Sequence, residues 1–405
     1  MTKQKLSLGF AGLLLTSSAM AGEGLYSVGA QPEDLVPLHW IVGTKAIYDD
    51  NTAPGGALDG EDSMAAMPYL GAKLTNITPQ TIVDIYAEVG MMYYFDKPGG
   101  IDDSSVNSRL SLDVFHDVSE RITLTTRNFV SYELEPNYAY GYASSRQNEE
   151  HLYWSTDNSI DYNWTDRFTT RTGIQYYGTE YEDDDNLNRQ SISLYNQFRY
   201  RLSPQTVGTF TYRYTDTDAE GVASDSTSHY ITLGAEHRFS PNTIGRFQAG
   251  AQIRDVDDGD DETNPYFEGT IITRVNSQLL VRAFARYSVE DYDTVQTNGI
   301  ILGEYDERRT LRIGASASYD LSPKLQLFGG VDYIPTSFEG GRLIPGPGTI
   351  PDADEDVINA YIGFALKITE TIEANCSYNY TDSDSDLFGR DYDRSRISLG
   401  VSAVF

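Results

Sequence analysis

Apolar and polar residues alternate along most of this chain. Between Ile244 and Arg254, the residues Phe247, Ala249, Ala251 and Ile253 share one face, while Arg246, Gln248, Gly250, Gln252 and Arg254 share the other. Leu279, Val281, Ala283 and Ala285 are set against Arg282 and Arg286 in the same way. So are Leu311, Ile313, Ala315 and Ala317 against Thr310, Arg312, Ser316 and Ser318. A period of two places successive side chains on opposite faces of an extended strand, so these segments predict β-strands with one apolar and one polar face.

A short phrase punctuates the strands: an apolar residue, then Ser, Thr or Asn, then usually Pro, Asp or Glu. It stands at Ile77-Thr78-Pro79, Val118-Ser119-Glu120, Trp164-Thr165-Asp166, Leu202-Ser203-Pro204, Phe239-Ser240-Pro241, Val275-Asn276-Ser277, Leu321-Ser322-Pro323 and Ile368-Thr369-Glu370. The copies lie about 36 to 47 residues apart, room for two strands and one longer loop. Each period therefore predicts a β-hairpin, and the whole chain about eighteen antiparallel strands, with 16 to 20 as the range a miscounted hairpin allows. All short turns fall at one end and all long loops at the other. That polarity predicts an all-β fold, a transmembrane antiparallel up-and-down barrel of the outer-membrane kind.

Both chain ends agree with this reading. Lys3 and Lys5, the apolar run Leu6 to Leu15 and the small-residue pattern Ala19-Met20-Ala21 predict a cleaved secretory signal over residues 1–21. Residues 22–36 are then a periplasmic N-terminal segment and residues 37–405 the barrel. After cleavage no apolar stretch of about 18 residues remains, so the mature chain cannot span a bilayer as a helix, and a barrel remains available because alternating strands hide a membrane surface. In the last strand Ile397, Leu399, Val401, Ala403 and Phe405 face one way and Arg396, Ser398, Gly400 and Ser402 the other. Ser398, Gly400, Ala403 and the terminal Phe405 resemble the signal read by the outer-membrane barrel assembly machinery, with Ala403 smaller than usual there. Alternation alone also fits a soluble sandwich with the apolar set inward; turn polarity and the two ends favour the barrel.

A barrel of this size is wide enough for an aqueous lumen. The polar register then lines the lumen. It carries Arg171, Arg199, Arg201, Arg213, Arg246, Arg254, Arg274, Arg282, Arg286, Arg308 and Arg312 on the middle strands, and Asp84, Glu88, Asp113, Asp332 and Glu373 on earlier and later ones. Because first and last strands pair at closure, the acids would face the arginines and create a transverse field that filters polar solutes. Ion pairing between adjacent strands is the alternative. Tyr93-Tyr94-Phe95, Tyr176-Tyr177, Tyr212 with Tyr214, and Tyr378 with Tyr380 predict aromatic girdles at the two interfaces.

The net charge of −30 comes largely from acid runs in the long loops, among them residues 180–185, 255–262, 352–356 and 382–386. These loops should lie outside the cell, where acids can meet divalent cations and the lipopolysaccharide of the outer-membrane lipid. Asp255, Asp257, Asp260 and Glu262 superficially resemble a calcium loop, but the acid at the twelfth position is missing and Pro265 follows closely. A solvated, self-repelling loop is the simpler expectation, and no cofactor is expected unless Ca2+ binds there.

The acidic balance argues against nucleic acid. The five His residues form no Ser, His and acid arrangement or metal spacing, so no catalytic residues are expected. The single Cys376 excludes an intrachain disulfide and falls on the apolar register.

The first predicted strand, Leu38 to Ile47, runs into Tyr48-Asp49-Asp50-Asn51. With hairpins joined by Leu-Ser-Pro-like turns and a terminal Phe, the layout resembles the putative beta-barrel porin 2 family along essentially the whole mature chain, although few positions are diagnostic. The resemblance implies an outer-membrane channel for passive diffusion of small hydrophilic solutes and ions, with a homotrimer as an arrangement suggested by porin analogy. Association of some relatives with surface polysaccharide export supplies the alternative, an export-associated or adhesin-like barrel.

Overall fold

The computed structural model describes residues 38–52, 61–96, 103–134, 150–182, 188–257, 261–291, 294–297, 302–344 and 346–405. The predicted signal and the segment 22–36 lie outside them. The first strands are β1 (Leu38–Asp49), β2 (Ser63–Ile77), β3 (Thr81–Tyr94), β4 (Ser104–Ser119), β5 (Ile122–Glu133) and β6 (His151–Asn163). They are followed by β7 (Phe168–Tyr181), β8 (Arg189–Ser203), β9 (Thr206–Ala219), β10 (Ser226–Ser240), β11 (Thr243–Val256), β12 (Glu262–Arg274) and β13 (Leu279–Glu290). After the three-residue β14 (Val295–Thr297) come β15 (Leu302–Ser322), β16 (Leu325–Ile344), β17 (Ala353–Lys367), β18 (Ile372–Ser385) and β19 (Tyr392–Val404).

Every neighbouring pair is antiparallel, and β19 pairs with β1 from Ile41↔Val404 to Asp49↔Arg396, which closes the sheet. Because β13 pairs directly with β15, the small β14 lies off the wall, and the nineteen strands among the described residues leave a wall of eighteen. Closure removes the open edges that would leave backbone groups unsatisfied in lipid.

The eight turn phrases fall at the eight short turns, and one local device explains them all. In each, the Ser, Thr or Asn side-chain oxygen accepts a backbone N–H from two or three residues on. Thr78 Oγ1 takes Thr81 N–H at 2.9 Å, Asn276 Oδ1 takes Leu279 N–H at 2.9 Å, and Ser322 Oγ takes Leu325 N–H at 3.1 Å. Ser119, Thr165, Ser203, Ser240 and Thr369 repeat it. Such side-chain hydrogen bonds mimic a backbone turn. The apolar residue before each of them is exposed, and in the seven from Val118 and Trp164 to Leu321 and Ile368 it sits on the outward register at the rim, whereas Ile77 shares the inward face of Thr75.

Which face looks inward is decided by exposure. Leu233 and Ile362 are 69% and 65% exposed, whereas Gln252 and Arg308 are 0% and 1% exposed. A soluble sandwich would reverse this order. The apolar register is therefore the lipid surface and the polar register the interior, as the alternation predicts for a barrel.

The girdle expectation holds only in part. Tyr93, Phe95, Tyr176, Tyr212 and Tyr378 are exposed on the outer face. Tyr94 and Tyr177, next in sequence, turn inward because neighbours on a strand take opposite faces. Tyr94 packs on an interior cluster of Ile47, Ala65, Met67 and Met92.

Candidate functional site

The interior face of the barrel is the candidate site. Several aromatic rings lie flat there because a glycine on the next strand leaves room. Tyr69 covers Gly43, where a Cβ would sit 2.4 Å from the ring, and Tyr195 covers Gly173 in the same way. These rings take up volume that would otherwise be lumen and shield the backbone beneath.

The arginines predicted to line the lumen all occupy the inward register, but they do not form a wall of one sign. Arg171 binds Asp161 on β6 through two hydrogen bonds, at 2.8 and 2.7 Å. Arg199 and Arg246 share Glu236 on β10, at 3.1 and 3.9 Å. Arg254 meets Asp291 at 2.6 Å. Arg286, Arg308 and Arg312 converge on Glu290. Arg213 lies 3.7 Å over the ring of Tyr230, and Arg282 lies 5.9 Å from that of Phe284. Arg201 and Arg274 sit at the inward register beside the short turns, Arg201 exposed.

The predicted acids are inward as well. Glu88 pairs with Lys45 at 3.2 Å, Glu373 with Lys367 at 3.9 Å, and Asp84 accepts from Thr75. Asp113 lies opposite Asp84 in the β3–β4 register and is exposed. Asp332 stands opposite Gly314, filling the space a Cβ there would take.

The expectation that interior acids belong mostly to early and late strands is overturned. Glu236, Glu268 and Glu290 lie on β10, β12 and β13, among the arginines. Pairing between near strands, not a bare transverse field, describes the interior charges named above. The signal was available in the alternation, since the parity that sends Arg282 and Arg286 inward sends Glu290 inward too.

One segment leaves the wall. β12 and β13 stop pairing at Phe267↔Tyr287, although both continue beyond it. β15 keeps pairing with β13 up to Glu290↔Arg308. The Gln252 side chain on β11 accepts the Val289 N–H and donates to the Val289 carbonyl, both at 3.0 Å. Since β12 stands between β11 and β13 in the wall, Gln252 reaches Val289 only because the end of β13 has swung inward across the inner face of β12. Further contacts hold the segment there. Ser226 donates to Asp291 at 2.9 Å, Arg189 to Thr294 at 2.9 Å, and Asn264 to Glu307 at 2.6 Å. Ser224 and Arg342 both bind Glu304. The described residues between Ser288 and Glu307 thus fold into the long-loop half of the lumen and narrow it beside β8 to β12.

On the neighbouring side Phe338 is fully buried with Tyr305, Ala353 and Leu387. The Arg308 and Arg390 guanidinium groups lie 5.7 and 5.3 Å from its ring, and Arg390 also binds Glu355 at 3.0 Å. Cation–π contact lets an aromatic ring sit among inward arginines.

At the candidate calcium loop, Asp255 and Asp257 are exposed and Glu262 is engaged by Arg309 at 3.2 Å. Asp260 lies outside the described residues. Among the described residues no group of three His, Cys, Asp or Glu side chains is arranged to hold a metal. In β19 the residues read as an assembly signal are in place. Ser398 and Gly400 face inward, Ala403 outward, and Phe405 exchanges two backbone hydrogen bonds with Trp40 at 2.9 and 3.0 Å. Gly400 leaves room for Asn375, whose Oδ1 would lie 2.4 Å from a Cβ.

Among solved structures, OccAB4 of Acinetobacter baumannii is 14% identical, covering 93% of this chain and 100% of its own with a TM-score of 0.46. OccK9 (OpdG) of Pseudomonas aeruginosa is 10% identical, covering 91% and 98% with a TM-score of 0.48. A BenF-like porin from Pseudomonas fluorescens Pf-5 is 10% identical, covering 91% and 98% with a TM-score of 0.47. No curated protein matches the chain. The family model described as putative beta-barrel porin 2 matches residues 175–405, more than half of the chain, and leaves Tyr48-Asp49-Asp50-Asn51 outside the match. The closed barrel with a polar interior thus belongs to the putative beta-barrel porin 2 family and is a porin-like channel of the outer membrane.

Proposed function

We propose that solutes pass along the inward register by diffusion and are sorted where the described residues between Ser288 and Glu307 narrow the lumen. The observation that carries this reading is the Gln252–Val289 bridge, which holds that segment across the inner face of β12. Small hydrophilic solutes and ions fit such a path because charged and amide side chains replace part of their hydration. Charges line it in locally paired sets, among them Arg246 with Glu236 and Arg286 with Glu290.

No catalytic step belongs to this reading. The assembly machinery is its partner during insertion, through Ser398, Gly400 and Phe405, and a homotrimer is its membrane form. Divalent cations meet the acidic long loops and bridge them to lipid headgroups. The family and fold favour a channel over an export-associated or adhesin-like barrel.

Single-channel conductance of the purified, refolded barrel tests the proposal, with neutral oligosaccharides of increasing size added. Stable steps in plain salt that are blocked above a size limit are the expected result. A folded barrel that gives no steps sinks it.

A further inference from the structure

We propose that Glu290 sets the charge selectivity of this channel by occupying a carboxylate cradle made of three arginines. The inference rests on the channel reading above. Arg312 donates from Nε to Oε1 and from Nη2 to Oε2, both at 3.0 Å, so it grips Glu290 as a fork. Arg286 reaches Oε1 at 2.6 Å and Arg308 reaches Oε2 at 3.2 Å. Two parallel N–H bonds from a planar guanidinium are the geometry by which arginine recognises any carboxylate, whether it belongs to the protein or to a solute.

One carboxylate cannot neutralise three guanidinium groups. The charged groups packed around the cradle offset only part of the surplus. Arg254 is paired with Asp291, and Arg390 with Glu355. Glu268 stands opposite Arg286 in the β12–β13 register and accepts from Gln248 and Tyr266. Asp332 and Arg282 face the cradle from β16 and β13. Among these described residues, Arg282, Arg286, Arg308 and Arg312 face Glu268, Glu290 and Asp332, so the cluster keeps a small positive surplus that Glu290 holds down.

Its place makes this matter for transport. Glu290 is the last residue of β13, where the chain turns into the lumen. A passing anion must be attracted strongly enough to enter and held weakly enough to leave. With Glu290 in the cradle, an anion meets a moderate positive field. Glu290, Arg308 and Arg312 are themselves buried, so the cradle acts on a solute through its field, and without the Glu290 charge that field would be more positive. Glu290 is thus a selectivity-determining residue whose carboxylate offsets part of the positive field that anionic solutes meet.

The test compares wild type, Glu290→Gln and Arg286→Ala in planar bilayers, reading the reversal potential in a KCl gradient and the block of current by added acetate and inorganic phosphate. Folding of each variant is checked by heat-modifiable gel mobility. Glu290→Gln should raise the chloride-to-potassium permeability ratio several-fold and make acetate and phosphate block at lower concentration. Arg286→Ala should lower the ratio, and it keeps the test alive should Glu290→Gln fail to fold. Reversal potentials and anion block that match wild type in a folded variant would overturn the inference while leaving the channel standing. A folded wild type that conducts nothing would overturn both.

Discussion

Asp49 on the first strand and Arg394 on the last are joined across the seam at which the barrel closes. The Arg394 Nε donates to both carboxylate oxygens of Asp49, at 2.9 and 3.1 Å, and its Nη2 also binds Oδ2. Arg396 adds a contact at 3.4 Å. The next two residues finish the clasp. Asp50 Oδ1 accepts the Ser395 N–H at 2.6 Å, and Asn51 Nδ2 donates to the Asp393 carbonyl at 2.9 Å. The tetrapeptide Tyr48-Asp49-Asp50-Asn51 therefore fastens the seam at its long-loop end, while Trp40 and Phe405 fasten the other.

Removing the seam charge should weaken closure. Breaking a buried ion pair costs about 3 to 5 kcal/mol, because the remaining charge loses its partner. Asp49→Asn should lower the temperature at which the folded band disappears on unheated gels, and Asp49→Asn with Arg394→Met should recover part of the loss. A single variant with wild-type thermal behaviour would show that the backbone ladder alone holds the seam.

The interior ring over Gly43 makes a second prediction. Adding a side chain forces Tyr69 from its place, and overpacking of this kind costs about 1 to 3 kcal/mol. Gly43→Val should lower stability, and Gly43→Val with Tyr69→Ala should lower it less than the two losses added together. Strict additivity, measured by urea titration of the folded barrel in detergent or lipid, would separate the two residues.

The inward segment can be loosened from its anchors. Gln252→Ala with Asp291→Ala removes the bridge to Val289 and the contacts to Arg254 and Ser226. Single-channel records should then show larger or noisier steps, and the oligosaccharide size limit should rise. Unaltered steps and size limit would place the narrowest point elsewhere.

The inward arginines set a fourth expectation. Replacing Arg246, Arg282 and Arg312 together with Ala removes three positive charges from the lumen wall and should shift the reversal potential toward cations. Its size should fall as salt rises, since the Debye length shrinks from about 10 Å at 0.1 M to about 3 Å at 1 M. A reversal potential unmoved at low salt would mean that local pairing has already cancelled these charges.

What could be read along the chain is what short-range physics controls. The turn phrases succeed because Ser322 needs only the N–H groups two and three residues on, a contact set by local geometry. Strand faces are legible because parity depends on neighbours in sequence, and so Arg246 and Glu290 alike could be placed inward. The ring of strands then follows from repetition, since every short turn joins the same kind of hairpin.

Tertiary structure alone decided who meets whom. Arg199 finds Glu236 through the β8–β9–β10 register, and Asp49 finds Arg394 only when the two chain ends pair. The inward turn after Tyr287 depends on where β12 and β13 part, and on Gln252 waiting two strands away. Pairing register and the point at which a strand leaves the wall are non-local, because they balance contacts between residues distant in sequence. For that reason the barrel and its polarity could be derived from the sequence, whereas its narrowing and its charge balance could not.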